Sequence, residues 1–237
     1  MKLSKLTLLT LAIAAGLIHA EAQTADEIIN KYIEAVGGKE KISQVKTVYM
    51  EGDMDIMNNK APSVTYIVNG KGYKNEVDFN GAKIITCYTD KGGWTINPMA
   101  GQTVATPVPD DLLKTGQLSL DAAGPLFDYT SKGNKVEFLG KDSGTYKLKV
   151  ITASNIETAF FIDTTSYYIL KTVTNMTVNG QEVEMFVENS DFKKTDYGLT
   201  MPFSQNITFP GLTITTTSNK IEINKEIDEA IFEMPKN

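Results

Sequence analysis

The chain of 237 residues contains no arginine, one histidine, one cysteine and one tryptophan. All 23 basic side chains are lysines, and 29 acidic ones give a formal net charge of −6. Without guanidinium groups, the paired hydrogen bonds that arginine makes to phosphates and to guanine are excluded. The acidic balance is also atypical of a nucleic-acid-binding domain. We therefore expect no nucleic-acid partner.

The only histidine, His19, lies in a segment with the layout of a secretory signal peptide. Two lysines precede an apolar run over residues 6–18, and Ala22 is the last of the small residues that form a cleavage site. The run is shorter than the roughly 20 residues that a membrane-spanning helix needs. We predict cleavage after Ala22. Residues 1–22 are then a signal peptide, residues 23–237 form one mature domain, and the protein is exported.

Loss of the signal peptide leaves a mature chain without histidine. This excludes Ser-His-Asp and Cys-His catalysis and zinc sites with histidine ligands. The single cysteine, Cys87, lies in a strand-like run over residues 84–88, so we expect a buried structural thiol. We expect no catalytic residues, no metal and no cofactor, and we interpret the protein as a non-enzyme.

The mature chain opens with one helix and continues with strands. Thr24 and Glu27 form a capping box, apolar residues then recur at helical spacing, and Gly37 ends the pattern. From Thr47 onward the apolar residues alternate with polar ones at a period of two. Asn179-Gly180 is typical of a two-residue hairpin. Many short strands without helical crossovers predict an antiparallel sheet, strongly curved or closed.

One long segment, Asn97–Tyr129, interrupts this pattern with four prolines. Asp110 and Asp111 could begin a short helix that carries Leu112 and Leu113. A partly helical insertion within an antiparallel sheet either covers a binding site or caps the apolar face of the sheet. The composition of the segment leaves both alternatives open.

Three carboxylates, Glu51, Asp53 and Asp55, share one face of the first strand at separations of about 7 Å. Glycosidases use carboxylate pairs at comparable distances, so Glu51 and Asp53 define a remote alternative, a carboxylate-based hydrolase. Alternation with apolar residues predicts the simpler result, a charged strand face in contact with solvent.

Segments spread over the whole mature chain resemble the periplasmic outer-membrane lipoprotein-sorting (LolA-like) proteins common in Bacteroidetes-type bacteria. Their order and spacing carry the resemblance more than any single motif does. The segments are Thr24-Ala25-Asp26-Glu27-Ile28-Ile29, Gly37-Gly38-Lys39-Glu40-Lys41, Gly93-Trp94-Thr95-Ile96-Asn97-Pro98, Gly124-Pro125-Leu126-Phe127-Asp128-Tyr129, Tyr146-Lys147-Leu148-Lys149-Val150, Phe161-Ile162-Asp163, Tyr167-Tyr168-Ile169-Leu170-Lys171, Ile221-Glu222-Ile223-Asn224 and Phe232-Glu233-Met234-Pro235.

The resemblance implies a mainly β fold with some α-helix: a half-open, curved antiparallel β-barrel that covers a helical lid or plug. In the best-known members a hydrophobic cavity between barrel and lid shields lipoprotein acyl chains between the inner and outer membranes. The best-known carrier holds its lid with a cavity arginine. Because this chain has no arginine, that way of controlling the lid is impossible here.

Resemblance and strand alternation together predict a cavity for acyl chains or other lipid, used for lipoprotein transport or sorting to the outer membrane. A membrane-bound donor or receptor protein is the implied partner. The alternative is a periplasmic sensor of the same fold that regulates a membrane protein. The sheet residues expected to bind the ligand are Met50, Met54, Ile56, Val77, Phe79 and Trp94. Leu112 and Leu113 of the inserted helix are expected to face them as a plug.

Overall fold

The computed structural model describes residues 24–178 and 180–236, which form three α-helices and thirteen strands. The predicted signal peptide and cleavage site lie outside the described residues. Among those described, no helix is long and apolar enough to cross a membrane. The helices are α1 (Ala25–Val36), α2 (Lys39–Ser43) and α3 (Asp110–Gly116). The strands are β1 (Thr47–Ile56), β2 (Asn59–Val68), β3 (Gly72–Phe79), β4 (Ala82–Thr89), β5 (Gly92–Asn97), β6 (Gln102–Pro107), β7 (Lys135–Asp142), β8 (Thr145–Ile151), β9 (Glu157–Asp163), β10 (Ile169–Val178), β11 (Gln181–Lys194), β12 (Thr200–Phe209) and β13 (Leu212–Ile223).

All thirteen strands form one antiparallel sheet in the order β6-β5-β4-β3-β2-β1-β13-β12-β11-β10-β9-β8-β7. Neighbours in the sheet are neighbours in sequence except where β1 pairs with β13, which joins the two ends of the chain. Strands β6 and β7 are the edges and do not pair with each other, so the sheet stays open. Strand twist accumulates over so many strands and curves the sheet. The predicted half-open antiparallel fold is confirmed.

Helix α1 forms as its sequence predicts. The Thr24 hydroxyl accepts a hydrogen bond from the Glu27 backbone N–H, and the Glu27 carboxylate accepts one from the Thr24 backbone N–H. The helix buries three isoleucines, Ile28, Ile29 and Ile33. They belong to the main hydrophobic core, which also contains residues from β1, β8, β9 and β13. One end of the curved sheet is therefore closed by α1.

The register assigns every strand residue to one of two faces, because side chains alternate along a strand. We call the face that packs against α1 the inner face; it carries Val48 of β1, Leu148 of β8 and Ile221 of β13. The outer face carries a smaller cluster in which Cys87 and Trp94 pack against Phe232 of the C-terminal segment. The fold thus has helices on one face and its own C-terminus on the other.

The predicted insertion is shorter than Asn97–Tyr129, because β6 (Gln102–Pro107) lies within it. The prolines concealed this strand. Proline cannot donate a hydrogen bond to a neighbouring strand, but an edge strand needs no such donor on its free side. The segment that leaves the sheet runs instead from residue 108 to residue 134 and contains α3.

Candidate functional site

Four aliphatic side chains from four adjacent strands form a row on the inner face. The register pairs Ile56 of β1 with Ile214 of β13, Ile214 with Ile207 of β12, and Ile207 with Val187 of β11. All four are half-buried, and they are not part of the main core. We call these residues the apolar row. They present a continuous aliphatic surface that the folded chain covers only in part.

A second row lies directly beside the apolar row, two residues along each strand, and it is mostly polar. The register pairs Met54 with Thr216, Thr216 with Gln205, and Gln205 with Asn189. We call Thr216, Gln205 and Asn189 the polar row. The Gln205 side-chain amide donates a hydrogen bond to Asn189 Oδ1 (2.9 Å), and the Asn189 amide donates one to the Ile169 carbonyl oxygen (2.9 Å).

The polar row leads into a cavity of about 210 Å³ between α1, α2 and strands β11 and β12. Gln205 and Asn189 line it together with Tyr32, Leu199 and Met201. Burial, with a smaller contribution from the negative charge of Asp121, raises the pKa of Tyr32 to about 12. The phenol therefore stays protonated at physiological pH. The cavity is apolar, with a few uncharged hydrogen-bonding groups.

Five of the predicted ligand-binding residues share the inner face. Met50, Met54 and Ile56 alternate along β1, and the β2–β3 register places Val77 and Phe79 on the same side. Their surroundings differ. Val77 is only 1% exposed, whereas Met50, Met54, Ile56 and Phe79 are half-buried. Met50 packs against the main core, and the other three half-buried residues lie outside both core clusters.

Trp94 lies on the opposite face, so its predicted place beside Met54 is wrong. The register pairs it with Cys87 in the outer cluster, and its indole Nε1 donates a hydrogen bond to the Phe232 carbonyl oxygen (2.9 Å). Its neighbour Gly93 occupies the inner face instead. The physical reason is that both faces of β5 are covered, so alternation alone did not show which face the tryptophan occupies.

Leu112 and Leu113 lie on α3 as predicted, and both are half-buried. The helix lies mainly against β10 rather than against β1. On the other side of the helix, Leu113 packs closely against Gly93. A Cβ atom added to Gly93 would be 3.2 Å from Leu113 Cδ1. Gln117, which directly follows α3, contacts β4: its side-chain amide donates a hydrogen bond to the Thr89 carbonyl oxygen (2.8 Å). Helix α3 thus bridges two distant parts of the inner face.

The three carboxylates of β1 lie on the outer face, away from the apolar row. Glu51 accepts a hydrogen bond from the Tyr49 hydroxyl, and Asp53 forms an ion pair with Lys60 at 3.1 Å. Over residues 24–178 and 180–236, no group of three or more His, Cys, Asp or Glu side chains could hold a metal ion. Only Asp53 of the three has a cationic partner among the ion pairs of the described residues, and all three lie on the face opposite the apolar row.

Sequence reasoning missed most of the apolar and polar rows. The sequence pattern predicts strands over residues 205–209 and 212–217, which contain Gln205, Ile207 and Ile214, but it predicts that the strand after Gly180 ends at residue 188, one residue before Asn189. The pairing that brings them beside Met54 and Ile56 joins positions more than 100 residues apart. Alternation could identify which residues share a face within each strand, but not which strands are adjacent.

The structure therefore belongs to the class of open, curved antiparallel sheets with helices on the inner face and a half-buried aliphatic surface beside them. No family model and no curated protein sequence matches the chain. Solved structures do match it. An outer membrane lipoprotein-sorting protein domain from Vibrio parahaemolyticus is 12% identical, with a TM-score of 0.57, covering 87% of this chain and 94% of that one.

Two further solved structures are also similar to this chain. A LolA superfamily protein from Nitrosomonas europaea, NE2245, is 12% identical with a TM-score of 0.56, covering 90% of this chain and 98% of that one. A DUF1329 family protein from Desulfovibrio piger is 13% identical with a TM-score of 0.57, covering 89% and 98%. The chain has a LolA-like fold over most of its length.

Proposed function

We propose that the protein is a periplasmic, non-enzymatic carrier that binds acyl chains, or the acyl chains of lipoproteins, on its inner face. The observation that carries the proposal is the apolar row: four half-buried aliphatic side chains side by side within a curved sheet. Burial of an acyl chain gives about 0.8 kcal/mol per methylene, so one chain lying along this row would supply most of the affinity.

The fold neighbours support the proposal through what they are named for: outer membrane lipoprotein sorting in one and the LolA superfamily in another. A carrier of this kind delivers its ligand to a membrane-bound receptor in the periplasm. The binding surface we propose comprises the apolar row, which includes Ile56, together with Met54 and Phe79. Met50 and Val77 support this surface from the core.

Helix α3 is the proposed lid. It contacts β10, and its Leu113 lies against Gly93 of β5, so moving the helix would uncover the inner face between those strands. In place of the missing arginine, the lid is held by the hydrogen bond from Gln117 to the Thr89 carbonyl oxygen and by the Tyr88 ring packed on Gly116. The neutral hydrogen bond contributes about 1 kcal/mol net.

Replacing Ile207 with Asp tests the binding surface. A carboxylate in the apolar row must lose its hydration when an acyl chain covers it, so we expect affinity for a fluorescent fatty-acid probe to fall by at least tenfold. The matched control is Asn206→Asp on the neighbouring, exposed outer face, where the new carboxylate still accepts the hydrogen bond from the Thr215 hydroxyl. Equal affinity in both folded variants would contradict the proposal.

The double variant Leu112→Asp/Leu113→Asp tests the lid. We expect it to abolish probe uptake, because two charges would replace the apolar surface that closes over the ligand. Lys114→Asp, on the exposed side of the same helix, is the control and should bind the probe as the unmodified protein does. Unchanged uptake in a folded double variant would make α3 a structural cap of the sheet.

A further inference from the structure

The polar row lies beside the apolar row on the inner face, and its hydrogen bonds determine how Gln205 is oriented. Asn189 uses its amide nitrogen to donate to the Ile169 carbonyl oxygen, so its Oδ1 faces Gln205 as an acceptor. Gln205 must then direct its own amide nitrogen at Asn189, at 2.9 Å. The opposite orientation would place two acceptor oxygens against each other. The carbonyl end of Gln205 is therefore fixed by its neighbours.

This leaves an acceptor on the inner face. Within the described part of the chain, Gln205 Oε1 has no hydrogen-bond partner, and neither does the Thr216 hydroxyl directly opposite it. Both residues are half-buried. When an apolar ligand covers the surface and excludes water, a polar group without a partner opposes binding unless the ligand supplies one. Gln205 Oε1 can accept only from a ligand that carries a donor.

The position of the polar row matches the place where the linkage of an acylated molecule would lie. The apolar row, which includes Ile56 of β1, lies on one side of the polar row. The cavity beside α1, which Gln205 and Asn189 themselves line, lies on the other side. An acyl chain whose first methylenes cover Ile207, two residues from Gln205 along β12, has its carbonyl end beside the Gln205 side chain. The two common linkages differ at one atom there. An amide has an N–H donor, whereas an ester has an oxygen that cannot donate.

We propose that Gln205 distinguishes an amide N–H from an ester oxygen and makes the protein selective for amide-linked (N-acyl) chains over ester-linked ones. The amide N–H donates to Gln205 Oε1, and the carbonyl of either linkage accepts from the Thr216 hydroxyl. An ester leaves Oε1 without a partner. The inference rests on the proposed function, because it names the ligand class of the same surface.

Two ligands that differ only at this atom test the proposal: N-dodecanoylglycine and O-dodecanoylglycolic acid. They have the same chain, the same carbonyl and the same carboxylate, with N–H in one and oxygen in the other. Competition against a fluorescent fatty-acid probe measures both affinities. We expect the full-length mature protein to bind the amide about fivefold more tightly, the effect of one net hydrogen bond.

Variants locate the source of the selectivity. Gln205→Met keeps the length of the side chain and removes its amide, and we expect the two ligands to bind it equally. Thr216→Val should weaken both ligands alike and leave their ratio unchanged. The control Asn206→Met, on the exposed outer face of the same strand, should keep the fivefold ratio.

The outcomes separate this inference from the proposed function. Tight binding of both ligands with equal affinity by the unmodified protein overturns the selectivity and leaves the carrier intact. A ratio that persists in Gln205→Met assigns selectivity to another residue and also overturns it. If neither ligand displaces bound probe, the selectivity is overturned, and if the unmodified protein does not bind the fatty-acid probe at all, the carrier proposal itself fails.

Discussion

Two apolar surfaces of the same sheet differ in how far the rest of the chain covers them. On the outer face, Cys87, Trp94 and Phe232 are at most 6% exposed, because the C-terminal segment lies over them. On the inner face, the aliphatic side chains of the apolar row are only half-buried. The chain thus covers one apolar surface fully with its own C-terminal segment and the other only in part. A surface that the chain covers only in part can bind a ligand reversibly.

The outer cover is held by several specific contacts. Trp94 Nε1 donates to the Phe232 carbonyl oxygen, and Lys71 pairs with Glu229 in the same segment. The Phe232 ring lies against Gly72 so closely that a Cβ there would be 2.5 Å from ring Cγ. Glycine is therefore required at this position by the approach of the ring. A cover fixed in this way is part of the folded core and does not behave as a lid.

Removing the outer cover should produce the largest effect. Phe232→Ala deletes a ring that is 6% exposed, and we expect the free energy of unfolding to fall by about 3–5 kcal/mol. Urea denaturation measures this loss. Under conditions where the variant remains folded, its affinity for the fatty-acid probe should be unchanged. Weakened probe binding would mean that the two faces are coupled.

The part of the inner face that α1 covers should be sensitive to alkali. The pKa of Tyr32 is raised from 10.0 to about 12, chiefly by burial. Between these values the unfolded state loses the phenolic proton and the folded state keeps it, so stability falls as the pH rises through this window. Tyr32→Phe should lose about 1–2 kcal/mol less stability than the unmodified protein between pH 9 and pH 12.

Urea denaturation of both proteins at these two pH values checks the expectation. The comparison at pH 9 is the control, since Tyr32 is protonated there in both states. Equal losses of stability in the two proteins would show that the phenol titrates normally and that the cavity is open to water.

The thiol of the outer cluster should be inert. Burial raises the pKa of Cys87 to about 12, with a smaller opposing contribution from Lys74. The folded protein should not react with a thiol reagent at pH 8, whereas the denatured protein should react at its single cysteine. Cys87→Ala should cost about 1 kcal/mol of stability. Rapid labelling of the folded protein would show that the C-terminal cover opens.

The apolar row should show the smallest effect on stability and the opposite profile to Phe232. Ile214→Ala removes aliphatic surface that is already half-exposed, so we expect less than about 1 kcal/mol of destabilisation. Its affinity for the fatty-acid probe should nevertheless fall several-fold, because the ligand covers that surface. A large loss of stability with unchanged binding would make the row ordinary core.

Local features of the fold could be predicted because they depend on neighbouring residues. The capping box of Thr24 and Glu27 begins α1, and the hairpin through Gly180 joins β10 to β11. Alternation correctly placed Met54 and Ile56 on one face of β1. It failed for Trp94, because a strand covered on both sides shows the same alternation whichever face is inner.

The amino-acid sequence alone determined the chemistry that is absent: no arginine for a charged lid, and no histidine in the predicted mature chain. It also determined the strand pattern, because a period of two depends only on side chains close in sequence. The tertiary structure decided which strands are adjacent, and thereby brought Met54 of β1 beside Thr216 of β13 and Gln205 of β12. It also decided which apolar surface is covered. Both depend on contacts between segments far apart in the chain, which the periodicity within any one strand does not encode.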